Sequence, residues 1–282
     1  MNPNDYFTGL EQGSDGIWHA AGDKSVSYPE GEREALFAIE DNSYWFQHRN
    51  ACILELVHQF PARHPFLDLG GGNGFVSSCL GDNGIETILM EPGLAGAAAG
   101  RQRGVDTVIH ATLQQAKPRP ECLPAVGMFD VLEHIEDDAG LVRQLHDYME
   151  PRGLLYLTVP AFQFLWSAED AIAGHYRRYS CSTLRNVLVE NGFEVLYCSY
   201  FFRPLLFAVL LFRSLPYRLG LGRKATAVER DHSDRPGGFL GALKKSLGGE
   251  VKSIRNQKPC GFGSSCIAVA RKNDSGSVLG ET

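Results

Sequence analysis

No segment of this 282-residue chain is apolar for long enough to cross a bilayer. The longest candidate, Pro204 to Phe212, is bracketed by Arg203 and Arg213 and falls well short of the roughly 20 residues a spanning helix needs. The N-terminus has no basic region followed by an apolar core, so no secretory signal is expected. Cysteine occurs seven times, an odd number, without a single C-x-x-C pair. That disfavours a disulfide scaffold or a zinc knuckle and predicts reduced thiols in a cytoplasmic protein. Basic charge is not in excess either: 27 Lys and Arg stand against 33 Asp and Glu, a net charge of −6, which argues against general nucleic-acid binding. No internal repeat is present. Also missing is the dinucleotide fingerprint Gly-x-Gly-x-x-Gly, because Phe75 stands where the third glycine would follow Gly70 and Gly72.

What the chain does have is a glycine at every second position after a short apolar run. Residues 66–75 read Phe-Leu-Asp-Leu-Gly-Gly-Gly-Asn-Gly-Phe, the pattern of a buried parallel strand feeding a tight loop and then a helix. Glycines there let backbone amides approach a ligand closely, and the helix N-terminus adds its own amides. A second strand, about 85–90, ends in Glu91 and Pro92. Glu91 lies about twenty residues beyond Asp68, where doubly wound folds place a carboxylate that accepts ribose hydroxyls.

The rest of the chain continues the alternation. Strands are predicted at about 65–69, 85–90, 106–109, 125–129, 154–159, 193–200 and 266–270, with helices over 74–82, 94–103, 138–149 and 182–191. Gly192 closes the last of these helices. Residues 1–35 read as polar and irregular, 33–60 as helical, and the tail 273–282 as disordered. The organisation expected is an arm and lid helix over 1–60 and a cofactor-binding core over 61–202. An apolar and basic insertion over 203–262 and a last strand with tail over 263–282 complete it.

The spacing Asp68-x-Gly70-x-Gly72-x-Gly74 resembles motif I of class I S-adenosylmethionine-dependent methyltransferases. The likeness extends along residues 43–202. Phe129-Asp130-Val131-Leu132-Glu133-His134-Ile135 resembles the subgroup whose fourth strand closes with Val-Leu-Glu-His, similar to small-molecule methyltransferases of quinone-biosynthesis type. Residues 149–154, 174–179 and 44–50 also resemble that subgroup. The resemblance implies a Rossmann-like, seven-stranded, mostly parallel α/β sheet with helices on both faces, an N-terminal helical lid and an insertion before the last strand. It implies S-adenosyl-L-methionine as cofactor, with S-adenosyl-L-homocysteine as product. By position, Asp68, Gly70, Gly72, Asn73 and Gly74 form the cofactor loop, and Glu91 and Pro92 meet the ribose. Phe129, Asp130 and Val131 line the methionine side, with Phe46 and Arg49 on the lid. Two departures stand out. Relatives often carry an acid after strand three, whereas this chain has His110-Ala111-Thr112, so Thr112 or backbone is left to meet the adenine. Pro124 stands where Asp often begins strand four.

Such a site aligns an acceptor, a methyl carbon and a sulfonium for in-line displacement. The expected acceptor is a small or medium organic molecule, methylated at oxygen, with His175 or His134 receiving the proton. Tyr176, Arg177, Arg178 and Tyr179 are expected at the substrate, the guanidinium groups suiting an anionic acceptor or pairing with Glu169 or Asp170. Asp130, Glu133 and His134 form a set that some quinone-pathway relatives use for a divalent metal; a metal is not the expectation here. The insertion leaves two readings open. The apolar stretch 201–212 covers the substrate cavity or a homodimer interface. Alternatively, it rests on an anionic membrane together with residues 222–262, where nine Lys and Arg face four Asp and Glu. The rival readings of function are a membrane-surface or scaffold protein that keeps the cofactor fold, and transfer to nitrogen or carbon of a lipid-linked or natural-product substrate.

Overall fold

The computed structural model describes residues 1–20, 43–220 and 238–274, with backbone alone over 238–246. Its strands are β1 (Leu10–Gln12), β2 (Trp18–Ala20), β3 (Phe66–Leu69), β4 (Thr87–Glu91), β5 (Thr107–His110), β6 (Leu123–Phe129), β7 (Met149–Pro160), β8 (Phe193–Phe201) and β9 (Ser265–Lys272). They form one sheet in the order β1-β2-β5-β4-β3-β6-β7-β9-β8. Strands β2 to β7 run parallel to their neighbours, while β9 pairs antiparallel with β7 and β8, and β1 with β2.

β3, β4, β5 and β6 are buried at every residue. Burial along the whole strand is what a parallel sheet shows when helices cover both faces. The order reverses at β3, so the loops after β3 and β6 diverge at its carboxyl edge and leave a crevice there.

The expectation of seven strands is corrected to nine among the described residues. The extra pair comes from the arm, which the sequence reading left irregular. Phe7, Leu10, Ile17 and Ala20 are buried in it, and β2 adds to the edge of β5 through Trp18 opposite Ile109 and His19 opposite His110. Strands of three residues are too short for an alternation to show in sequence. The lid helix is described over Tyr44–Gln59; the earlier part of the predicted helix, the tail from 275 and residues 221–237 of the insertion lie outside the described residues.

The described part of the insertion beyond residue 237 packs against helix Tyr44–Gln59 through helix Gly238–Arg255, held by Arg255 Nη2 to Glu55 Oε2 at 2.7 Å. Glu250, almost fully buried, accepts hydrogen bonds from the Phe202 and Arg203 amides at 2.8 and 2.7 Å, and its Oε2 lies 2.9 Å from His48 Nε2. Trp45 stacks on Phe202 with ring centroids 5.3 Å apart. The expected apolar stretch forms helix Arg203–Val209, a wide turn over Leu210–Ser214 and a last turn Leu215–Arg218.

Candidate active site

The crevice is built from the loop after β3. Gly70, Gly72 and Gly74 all adopt positive φ, so the chain reverses tightly before helix Phe75–Asp82. At Gly74 the constraint is steric as well, since a Cβ would lie 2.8 Å from the Gly100 Cα. At Gly72 a Cβ would point into open space. The Gly72 amide donates to Glu91 Oε2 at 3.0 Å, and the Gly93 amide donates to Oε1 at 2.8 Å. Glu91 therefore ties the loops after β3 and β4 together, as a buried carboxylate at the strand terminus.

Asp68 lies beneath this loop, fully buried. Ser77 Oγ donates to its Oδ2 at 2.6 Å, while Oδ1 has no hydrogen-bond partner. Burial pushes the carboxyl up to about 6, against the pull of Ser77 and of the Arg49 charge. A buried acid with an unsatisfied oxygen is costly unless a donor arrives. The α-ammonium of a bound methionine moiety would be such a donor.

Helix Tyr44–Gln59 brings Arg49 to the end of β6. Its Nη1 contacts Asp130 Oδ2 at 2.6 Å, and its guanidinium lies 5.0 Å from the Trp45 ring centroid and 5.3 Å from that of Phe46. Phe46 meets Phe75 edge-on. Asp130 itself sits at φ 60°, a strained backbone for a non-glycine residue at the end of β6. Phe129 is buried and stacks on Phe66, and Val131 closes over Gly70. Asn73 is buried within the loop and Pro92 half-buried after β4. Thr112 caps the short helix Leu113–Ala116, its hydroxyl accepting from the Gln115 amide.

A second group of side chains gathers beyond β6. Glu133, His134 and His175 each present a ligand-type atom within 4.8 Å of the others. The two imidazoles meet edge-to-face with centroids 4.6 Å apart. Burial and the neighbouring His175 lower the pKa of His134, so His134 favours the neutral form. Burial, reinforced by Asp130, raises the Glu133 carboxyl well above its usual range. Its Oε2 is buried without a partner.

Asp170 orders this group. Its Oδ1 lies 2.9 Å from His175 Nδ1 and accepts from Arg178 Nε at 2.7 Å; its Oδ2 accepts from Arg178 Nη2 at 3.0 Å and from the Ser167 amide at 2.8 Å. Burial alone would raise its pKa, but the bonds from His175 and Arg178 prevail and hold it at about 2. Asp170 remains a carboxylate at every ordinary pH. Sequence reading had named it only as a partner for arginine. The spacing Ser167-x-x-Asp170, a capping box at the start of Ala168–Ile172, was the available signal.

Other predicted substrate residues are engaged within the protein. Arg177 Nη1 pairs with Asp138 Oδ1 at 2.9 Å, and the buried Tyr179 hydroxyl donates to Asp138 Oδ2 at 2.7 Å. Arg178 is spent on Asp170. Tyr176 is exposed, with its amide donating to the Glu133 carbonyl. Of the set Asp130, Glu133 and His134, Asp130 turns to Arg49, and His175 stands with Glu133 and His134.

A mostly parallel sheet with a glycine loop and a strand-end acid at the carboxyl ends of its strands is a class I methyltransferase architecture. The profile of the methyltransferase-domain family matches residues 44–197, and the chain belongs to that family. A probable S-adenosylmethionine-dependent methyltransferase of Mycolicibacterium smegmatis is 27% identical over 169 residues. The match spans 58% of this chain and 65% of that relative. A ubiquinone biosynthesis O-methyltransferase of Pseudomonas aeruginosa is 26% identical over 98 residues, 33% of this chain and 42% of the relative. Among solved structures, phosphoethanolamine N-methyltransferase 2 of Haemonchus contortus in complex with S-adenosyl-L-methionine superposes with a TM-score of 0.54 at 15% identity, over 88% of this chain and 58% of the other. A Thermotoga maritima methyltransferase, described as a possible histamine N-methyltransferase, gives 0.53 at 15% identity, over 86% and 96%. These superpositions are likenesses of fold.

Proposed function

We propose that this chain transfers the methyl group of S-adenosylmethionine to an oxygen of a small or medium organic acceptor, with His175 receiving the acceptor's proton. The single observation that carries the oxygen reading is the buried Asp170 carboxylate 2.9 Å from His175 Nδ1. Asp170 accepts from Nδ1–H and so leaves the Nε2 lone pair free, the arrangement that makes an imidazole a directed base.

S-adenosylmethionine, when bound, supplies a methyl carbon on a sulfonium whose departure needs no protonation. The chain's part is alignment and proton removal. Glu91 is suited to the ribose hydroxyls, and the unsatisfied Asp68 oxygen to the α-ammonium. The Arg49–Asp130 pair and the Trp45–Phe46 lid are suited to exclude water over the methionine side. The acceptor oxygen forms its bond to the methyl carbon as the carbon–sulfur bond breaks, and its proton passes to His175 Nε2.

A second reading rests on the Glu133–His134–His175 convergence. Two imidazoles and a carboxylate suit a divalent metal by ligand type, and His175 Nε2 would then be a ligand. The test is an acceptor screen with methyl-labelled S-adenosylmethionine, run with and without EDTA and read by mass analysis. Methylated oxygen products that persist in EDTA are the expected result. Loss of turnover in EDTA, restored by a divalent cation, supports the metal reading. Products methylated only at nitrogen or carbon sink the oxygen assignment.

A further inference from the structure

We propose that the face formed by residues 203–219 and the adjoining loop 162–176 docks on an anionic membrane surface. Among the described residues, most of the large apolar side chains left exposed lie between 164 and 219. Phe212 is 79% exposed, Leu219 69%, Phe207 59% and Leu211 55%, with Phe164, Ile172 and Tyr176 exposed on the loop. The two segments are fastened together: Ser214 Oγ donates to the Leu165 carbonyl at 2.7 Å, and Arg218 Nη2 to the Phe164 carbonyl at 2.9 Å. The opposite side of the segment is anchored in the protein through buried Leu206 and Ser214, so these apolar groups form an outward patch on a fixed support. Contiguous patches of this kind mark interaction surfaces.

Charge selects the occupant. Residues 203–220 contain Arg203, Arg213 and Arg218 and no acid; Arg203 reaches the buried Glu250 at 3.4 Å and Arg213 the exposed Glu169 of the adjoining loop at 3.8 Å, and residues 222–262 of the sequence continue the basic excess in a chain of net charge −6. A helical segment with an apolar face and flanking arginines lies in the headgroup region, its apolar groups entering the acyl boundary while the cations meet lipid phosphates. A second copy of this chain fits less well. A two-fold interface sets the same patch against itself, which brings three arginines per copy together with Glu169, already beside Arg213, as the exposed acid of the face. Docking in this orientation brings the loop that carries His175 and Tyr176 to the bilayer. None of this depends on methyl transfer, and the segment lies beyond the residues that match the family profile.

The test is co-sedimentation of the full chain with vesicles of phosphatidylcholine alone and of phosphatidylcholine with phosphatidylglycerol. A triple variant, Phe207→Ser with Leu211→Ser and Phe212→Ser, is run beside it. All three positions are exposed, so an unchanged melting temperature checks that the variant folds. The expected result is binding to the anionic vesicles that weakens with added salt and falls about tenfold or more in the triple variant. Absence of binding to anionic vesicles overturns the proposal, as does equal binding by the variant. So does sedimentation velocity showing a dimer that the triple substitution dissolves, which would assign the patch to a second copy.

Discussion

Replacing His175 by Ala is expected to lower kcat for methyl transfer by about 10²–10⁴-fold, the usual worth of a positioned general base, with S-adenosylmethionine affinity little changed. The split follows from place. His175 stands with Glu133 and His134 beyond β6, apart from the glycine loop and Glu91. Asp170→Asn separates a base from a packing residue. The amide still fills the space but no longer fixes the imidazole's tautomer, so kcat should fall with KM nearly constant. The amide also weakens the bonds from Arg178 and Ser167, so a thermal melt belongs beside the kinetics. A His175→Ala enzyme that keeps full kcat on an oxygen acceptor, while folded, would contradict the assignment of the base.

Glu250→Ala is expected to cost about 3–5 kcal/mol of folding stability, the range for removing one partner of a buried charged network. The substitution leaves the Phe202 and Arg203 amides without their carboxylate acceptor and His48 Nε2 with only Cys52 Sγ, 3.5 Å away. The fall should appear as a lower denaturation midpoint with little change in the slope. Because the network joins helix Gly238–Arg255 to the lid helix and to the turn at Phe202, lid order should suffer too, and cofactor affinity with it. Glu250→Gln keeps the shape and one good acceptor, and should cost much less. Equal stability of the alanine variant and the parent would mean that the insertion is not pinned to the lid through this residue.

The core of the fold was legible because its signals are local. Residues 66–75 combine a short, mostly apolar run carrying one acid, Asp68, with glycines at set intervals, and the strand and loop stand where that pattern put them. The strands at 87–91, 107–110 and 193–201 were readable in the same way, from apolar runs between turn residues. The arm was not, since β1 and β2 hold three residues each and owe their pairing to the exposed edge of β5. Nor could sequence reveal Glu250 reaching His48, or Arg255 reaching Glu55, contacts that span about two hundred positions without a shared motif. Arg49 and Arg178 show the limit for charged residues. For Arg49 residue type suggested an anion of a ligand, and the nearest carboxylate in the folded chain is Asp130; for Arg178 the sequence left a ligand anion and a pairing with Glu169 or Asp170 both open, and the fold pairs it with Asp170.

The most direct test of the account is isothermal titration of S-adenosylmethionine and S-adenosylhomocysteine into the purified protein, with NAD as control and Gly72→Arg in parallel. A Cβ at Gly72 meets nothing within 4 Å, while its φ of 56° strains any other residue, so the arginine should block the cofactor loop and a thermal melt checks that the variant folds. Expected are dissociation constants on the order of micromolar for both ligands, no binding of NAD, and loss of both in the variant. Affinity for S-adenosylmethionine should also weaken as pH falls through about 6, because protonated Asp68 offers no charge to the ammonium; by itself this group imposes no loss above that pH. Failure of either ligand to bind the folded parent, or undiminished binding by Gly72→Arg, would contradict the cofactor site described above.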